Sequence, residues 1–181
     1  MKVETYSILG PLLITPSIFE DERGHFFESF SKALFQQHGI NSEFVQDNQS
    51  LSQKGTLRGL HFQAPPFDQG KLVRVSRGRV IDIIVDIRKS SPTYGQNITV
   101  ELSDKNKQQL WVPPGFAHGF SVIEDNTIFQ YKCTQYYNKA SEGGVIYNDN
   151  TLALDWKIEN PIVSEKDLIL PAFKNFNSPF I

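Results

Sequence analysis

The stretch VIDIIVDIR at residues 80–88 decides the fold, because its side chains alternate between two faces. Ile81, Ile83 and Val85 share one face, and Asp82 lies on the other. A period of two is typical of a β-strand that packs on a core. The same alternation recurs along further segments, and the sequence therefore predicts an all-β fold. These segments are residues 71–77, 98–102 and 127–133.

Turn residues separate the predicted strands. Arg77-Gly78-Arg79 predicts a short hairpin, and residues 91–95 and 103–106 predict polar connections. Pro113-Pro114-Gly115 ends the following strand. Short strands with closely spaced turns predict a β-sandwich or a β-barrel.

Helical signals are few. Residues 31–37 predict one or two turns, with Ser29 or Ser31 as the cap and Gly39 as the stop. SEKD at residues 164–167 matches the capping-box pattern of a second short helix.

Composition limits the possible classes of protein. A chain of 181 residues fits one domain, residues 1–181, and 39% hydrophobic with 21% charged residues excludes a disordered chain. The formal charge of −2 argues against a basic nucleic-acid-binding surface. The single cysteine, Cys133, excludes an internal disulfide and fits a reducing compartment. Because no signal peptide or membrane segment is visible, we expect a cytoplasmic protein without a membrane partner.

Arg58 and His61 lie three residues apart in GTLRGLHFQ, residues 55–63. In an extended chain they fall on opposite faces, unless Gly59 introduces a bulge. One interpretation makes Arg58 an anion ligand and His61 a general base. The other makes them a surface arginine and a hydrogen-bonded core histidine, and the spacing alone favours this second interpretation.

Four other residues also have two interpretations. Lys71 either points inward, where it needs an anionic partner, or lies exposed at a strand end. His118, followed by a glycine that permits close approach of a ligand, is either a site residue or a core histidine. Tyr131 is either an acid in a cavity or a core tyrosine. Asp167 either caps a helix or orients a histidine.

A metal site is not indicated. Metal-binding β-barrels of this size usually offer two histidines one residue apart with a carboxylate, but Phe62 and Gln63 follow His61. The glycine patterns of nucleotide cofactor sites are also absent. We therefore expect neither a metal nor a cofactor.

Eight strings, in order along nearly the whole chain, resemble the dTDP-4-dehydrorhamnose 3,5-epimerase family. They are DERGHFFE (21–28), QDNQS (46–50), GTLRGLHFQ (55–63), GKLVRV (70–75), VDIRKSSPTYG (85–95), PGFAHGF (114–120), YKC with YY (131–133 and 136–137) and SEKD (164–167). The resemblance implies a metal-free cupin-type jelly roll with an N-terminal arm and short helical segments in a C-terminal extension. It also implies a homodimer.

The implied substrate is dTDP-4-dehydro-6-deoxy-D-glucose, which is epimerised at C3 and C5 without a cofactor to dTDP-4-dehydro-L-rhamnose. By resemblance, His61 is the base, Asp167 its orienting partner and Tyr131 the acid on the opposite face. Lys71 stabilises the enolate oxygen, and Tyr137 stacks on the thymine. The implied substrate contacts are Arg23, Glu28, Gln46, Asp47, Asn48, Arg58, His118, Glu142 and Lys166.

The local charge fits a diphosphate, because six basic residues and one acidic residue lie between Lys54 and Arg79. The resemblance further implies that the N-terminal segment, with Arg23 and Glu28, serves the neighbouring subunit's site.

Three alternatives remain open at this point. The first is an epimerase that acts at C3 only or C5 only, which the motifs do not distinguish. The second is a non-catalytic jelly roll that binds a nucleotide-sugar, and the third is a metal-dependent cupin oxygenase.

Overall fold

The computed structural model describes residues 1–181 and contains two large β-sheets that face each other. Their strands have the side-chain alternation that the sequence predicts. In chain order the strands are β1 (Lys2–Thr5), β2 (Leu12–Thr15), β3 (Ile18–Asp21), β4 (Gly24–Phe27), β5 (Gln46–Ser52), β6 (Thr56–Gln63), β7 (Lys71–Arg77), β8 (Arg79–Asp86), β9 (Asn97–Ser103), β10 (Gln109–Val112), β11 (Phe116–Val122), β12 (Thr127–Cys133), β13 (Glu142–Gly144) and β14 (Ile162–Val163).

We name the two large sheets by a residue that each contributes to the site. The lysine sheet, which contains Lys71, has the strand order β1-β2-β10-β7-β12-β5. The histidine sheet, which contains His61, has the order β13-β6-β11-β8-β9, and β14 adds to β6 in parallel. All other pairings in both sheets are antiparallel, so the architecture is the expected jelly roll.

Helix is confined to short pieces. They are α1 (Lys32–Gln37), α2 (Glu165–Leu168) and the 3₁₀ turns Lys139–Ser141 and Phe173–Asn175. The helix predicted at residues 31–37 is confirmed: Ser31 is its N-cap residue, and Gly39 has a φ of +85°. No helix has the length and apolar character that a bilayer crossing requires.

Three apolar clusters hold the layers together. Between the sheets, Val73 and Val75 of β7 pack with Ile84 of β8 and its neighbours. The outer face of the histidine sheet is covered by the C-terminal segment, which contributes Trp156 and Phe180. On the outer face of the lysine sheet, α1 covers a third cluster. The alternation read from residues 80–88 is confirmed, because both faces of β8 lie in these clusters.

The predicted hairpin at Arg77-Gly78-Arg79 is wrong. β7 pairs with β10 and β12, whereas β8 pairs with β9 and β11, so the chain crosses from one sheet to the other at Gly78. Gly78 has a φ of +82°, and an added Cβ would collide with the side chain of Thr127. A tight glycine turn predicts a change of direction, but it does not reveal which strands become partners.

Candidate active site

A cavity of about 760 Å³ opens between the two sheets. Eleven of the predicted site residues line it, drawn from both sheets, from α2 and from the loop after β12. They are Gln46, Asn48, Arg58, His61, Lys71, His118, Tyr131, Tyr137, Glu142, Lys166 and Asp167.

Gly59 explains how Arg58 and His61 reach the same cavity. The register between β6 and β11 shifts at this point, as a bulge requires, and Gly59 has a φ of +117°. An added Cβ would lie 2.6 Å from Gly119 Cα and 2.7 Å from the His118 carbonyl oxygen. The bulge therefore needs a glycine, and it turns two residues three apart to one side.

His61 is held by Asp167. Its Nε2 lies 2.7 Å from Asp167 Oδ1, and the Gly59 N–H donates to Oδ2 at 3.2 Å. Burial acts to raise the pKa of Asp167, but the hydrogen bond and charge of His61, with the Gly59 N–H, outweigh it and lower that pKa. An ionised carboxylate only accepts, so Nε2 carries the proton and Nδ1 is left for chemistry.

The predicted capping box is not formed. Ser164 is the N-cap residue of α2, but its side chain makes no capping hydrogen bond. Asp167 instead directs its two oxygens to His61 and Gly59. The local pattern at residues 164–167 was a poor guide because a partner distant in sequence binds the carboxylate more closely.

A second histidine–aspartate pair lies deeper. His118 Nε2 is 3.0 and 2.9 Å from the two oxygens of Asp82, and the side chains are 7% and 0% exposed. His118 stands opposite His61 in the register of β11 and β6. Two imidazoles on adjacent strands are thus each bonded to a carboxylate.

Lys71 enters the cavity from the lysine sheet. Burial lowers the pKa of its ammonium, while the charges of Cys133, Asp82 and Glu142 act in the opposite direction. Cys133 is its register partner on β12 and is fully buried, and burial raises the pKa of that thiol.

Tyr131 also lies on the lysine sheet, two residues from Phe129. Burial raises the pKa of its phenol, and the neighbouring Cys133 acts in the same direction. Phe129 stacks on Phe120 with ring centroids 4.0 Å apart, so an apolar floor lies next to the phenol. The tyrosine therefore keeps its proton at neutral pH, as an acid must.

A polar cluster forms one rim of the cavity. Glu142 accepts hydrogen bonds from Tyr137 Oη at 3.0 Å and from Lys166 Nζ at 2.9 Å. Burial acts to raise the pKa of Glu142, but these two bonds outweigh it and lower that pKa. Tyr137 is 56% exposed, which leaves its ring available for stacking.

Arg58 has its guanidinium near β5, where Nη2 donates to Ser52 Oγ at 3.2 Å. No carboxylate binds this guanidinium, so its charge is available to an anion. Gln46 and Asn48 point inward from the same strand and are bonded to each other at 3.0 Å.

Three predicted contacts lie outside the cavity of this chain. Asp47 points to the other face of the lysine sheet, where Lys132 Nζ lies 2.7 Å from its Oδ2. Its placement follows from strand alternation, because both of its neighbours point inward. Arg23 pairs with Asp21 in the β3–β4 hairpin, and Glu28 follows that hairpin. The hairpin pairs with neither large sheet.

Sequence reasoning missed Asp82 as a site residue. The available signal was a charged residue between Val80 and Ile84 on a core-facing strand, which has to find a partner. No three His, Cys, Asp or Glu side chains come together in a way that would hold a metal ion.

Two facing antiparallel sheets around a cavity with a histidine–aspartate pair, a lysine and a buried tyrosine define a cupin-type jelly roll equipped for proton transfer. The profile of dTDP-4-dehydrorhamnose 3,5-epimerases matches residues 5–175. The chain belongs to this epimerase family and is an isomerase.

Individual relatives agree with this assignment. The dTDP-4-dehydrorhamnose 3,5-epimerase of Shigella flexneri is 49% identical over 169 residues, which is 93% of each chain. The crystal structure of the enzyme from Elizabethkingia anophelis has a TM-score of 0.93 at 48% identity, covering 98% of this chain and 99% of that one. A Legionella pneumophila dTDP-6-deoxy-D-glucose-3,5-epimerase, solved in complex with dTDP-4-keto-L-rhamnose, has a TM-score of 0.94 at 46% identity and covers 97% and 94%.

Proposed function

We propose that this enzyme converts dTDP-4-dehydro-6-deoxy-D-glucose to dTDP-4-dehydro-L-rhamnose by inverting C3 and C5, as a step toward dTDP-L-rhamnose. The observation that carries the proposal is the placement of His61 and Tyr131, which enter one cavity from opposite sheets. Inversion of a carbon needs a base on one side and an acid on the other, and this cavity supplies both.

His61 is the proposed base. Nδ1 removes the proton from a carbon next to the C4 ketone, and the C–H electron pair moves toward the ketone oxygen to give an enolate. Asp167 accepts the Nε2–H hydrogen bond at 2.7 Å and stabilises the imidazolium that forms.

Lys71 and Tyr131 complete the proposed cycle. The Lys71 ammonium donates to the enolate oxygen, where a compact charge in a desolvated site is most effective. Tyr131 then gives its phenolic proton to the same carbon from the opposite face. The proton on His61 passes to solvent, which also reprotonates the tyrosine before the second centre reacts.

The remaining cavity residues are proposed to hold the nucleotide. Arg58 and Lys166 suit the diphosphate, and Tyr137 offers an exposed ring for the thymine. Gln46, Asn48, His118 and Glu142 are the other proposed contacts in this chain.

Product analysis by NMR in deuterated water tests the reaction. The expected result is solvent deuterium at both C3 and C5 in a product of L-configuration. Deuterium and inversion at one carbon alone would instead establish a single-centre epimerase. No exchange at either carbon would favour a nucleotide-sugar-binding protein.

We also propose that the enzyme is a homodimer in which the β3–β4 hairpin reaches the partner's cavity. Phe19 and Phe26 on this hairpin are 66% and 69% exposed, which is costly for an isolated subunit. This arrangement would bring Arg23 and Glu28 to a site that they do not reach in their own chain.

Mixing two inactive variants tests the exchange of arms. Arg23→Ala damages the arm and His61→Ala damages the cavity, so a mixed dimer has one intact site. Activity that returns after the two proteins are refolded together supports exchange. A light-scattering mass of one subunit, or no recovery in proven mixed dimers, would contradict it.

All 181 residues are proposed to form one domain, because the C-terminal segment shares an apolar cluster with β6 and β8. Calorimetry is expected to give one unfolding transition, and two transitions would contradict this. The buried, unpaired Cys133 suits a reducing compartment, and we propose the cytoplasm. Recovery of the protein in an oxidising compartment after cell fractionation would contradict that location.

A further inference from the structure

Asp82 is a fully buried carboxylate that the proposed mechanism does not use. It lies on the inner face of β8, between Val80 and Ile84, where apolar side chains of both sheets surround it. A carboxylate in such a place is costly unless a close partner stabilises it. No lysine or arginine forms an ion pair with it, and its hydrogen-bonding partner is His118.

The contact between Asp82 and His118 fixes a proton. Both carboxylate oxygens lie within 3.0 Å of the same ring nitrogen, Nε2. Because an ionised carboxylate only accepts hydrogen bonds, this nitrogen has to carry hydrogen. The ring also packs beside the stacked pair of Phe120 and Phe129, with centroids 6.5 and 6.2 Å away, so apolar contacts hold it on one side.

The charge of Asp82 also affects the ionisation of residues other than His118. It favours the charged form of Lys71, as do Cys133 from β12 and Glu142 from β13, whereas burial opposes it. Tyr6 lies close enough for Asp82 to contribute to the raised pKa of its phenol, about 12, although burial and Glu4 contribute more. The Tyr6 hydroxyl is buried and has no hydrogen-bond partner.

We propose that Asp82 is a positioning residue that does not itself touch substrate. It keeps hydrogen on Nε2 of His118, the nitrogen that it binds, and it supplies a negative charge near Lys71. This inference rests on the proposed function, because it concerns the same cavity. The site would then contain two carboxylates that act through other residues, Asp167 through His61 and Asp82 through His118 and Lys71.

The first test needs no variant. Selective ¹⁵N labelling of histidine in the intact enzyme reports which ring nitrogen carries hydrogen. We expect His118 to show a protonated Nε2 at neutral pH, whether its other nitrogen is protonated or not. A ring with hydrogen on Nδ1 alone would overturn the proposal, even if Asp82 variants failed to fold.

The second test is Asp82→Asn, which keeps the shape but removes the charge. We expect kcat/KM to fall about 10- to 100-fold, as is common when the partner of a site residue is changed. The alkaline limb of the kcat profile should also move to lower pH, because Lys71 loses a favourable charge. A structural role alone would leave that limb in place, and an unmoved limb would overturn the proposed effect of the Asp82 charge on Lys71.

Asp86→Asn is the matched control. Asp86 lies four residues along the same strand and is equally buried, but its partners are Arg88, Ser91 and Thr93, away from the cavity. It should lose thermal stability and keep the position of the alkaline limb. If Asp86→Asn moved the limb as Asp82→Asn does, the shift would be a general effect of lost core charge.

A double-mutant cycle with His118→Asn completes the design. If the two residues act as a unit, the double variant should be hardly worse than either single variant. Full additivity would overturn the coupling. If the wild-type enzyme itself gave no epimerised product, the proposed function would fail, whereas an active wild type with additive variants would contradict only this inference.

Discussion

The two histidine–aspartate pairs have the same chemistry but very different surroundings. In the pair at the cavity mouth the His61 side chain is 24% exposed, and Asp167 comes from the C-terminal helix α2. In the inner pair the side chains of His118 and Asp82 are 7% and 0% exposed, and both come from adjacent strands of one sheet. The outer imidazole can exchange protons with solvent between turnovers, whereas the inner one is held by the core. This difference in burial supports the proposal that the first pair transfers protons and the second organises the site.

His61→Ala should produce the largest effect on catalysis. Loss of a general base typically costs up to about 10⁴-fold in rate, so kcat should fall by about that factor. The melting temperature should fall less than in the His118→Ala variant, because the buried Asp167 carboxylate keeps the Gly59 hydrogen bond and the His61 side chain is partly exposed. Deuterium incorporation at C3 and C5, followed by NMR, measures the rate. Exchange at the wild-type rate in this variant would remove His61 from the mechanism.

His118→Ala should lower the free energy of unfolding more than His61→Ala does. It leaves the Asp82 carboxylate buried without its partner, and breaking a buried pair in this way costs about 3 kcal/mol or more. Urea unfolding, with the slope compared to that of the wild type, measures the difference. His38→Ala is the control, since His38 is an exposed residue at the end of α1. Equal stability of the His118 and His61 variants would contradict the contrast between the pairs.

Asp167→Asn tests the role of the carboxylate in the pair of His61 and Asp167. The amide keeps the shape but no longer stabilises the imidazolium, and its NH₂ group favours the wrong ring form of His61. We expect kcat to fall about 10²- to 10⁴-fold, no more than for loss of the base itself. Asp155→Asn is a control, because Asp155 pairs with Lys157 on the surface. A change in KM alone, with kcat intact, would mean that Asp167 serves binding rather than proton transfer.

The two pairs also differ in how far sequence could predict them. His61 and Asp167 were identified through motifs that resemble a known family, although the local pattern at Asp167 indicated a cap. Asp82 was visible only as a charge on a core-facing strand, and nothing local identified His118 as its partner. A pair between neighbouring strands depends on register, which a sequence fixes only through the whole sheet.

In the fold as well, the sequence predicted local features correctly but not the pairing of distant strands. Alternation along β8 correctly predicted a strand with two buried faces, because period and burial are local properties. The turn at Gly78 was correctly located but wrongly interpreted as a hairpin, because pairing depends on strands far along the chain. Similarly, Asp47 belongs to a family motif, yet the two-residue period of β5 turns it away from the cavity of its own chain.

Lys71 faces the same cavity as both pairs, and its ionisation should give the smallest but most specific effect. Burial lowers the pKa of Lys71 and raises that of Tyr131, and both shifts favour loss of the lysine proton before the tyrosine proton as the pH rises. The alkaline decline of kcat should therefore report Lys71. In Lys71→Arg, whose guanidinium remains charged, the decline should move to higher pH even if kcat itself is reduced. Lys132→Arg is the control, because Lys132 pairs with Asp47 on the other face of the same sheet. A decline at the same pH in Lys71→Arg would mean that another group, such as Tyr131, controls it.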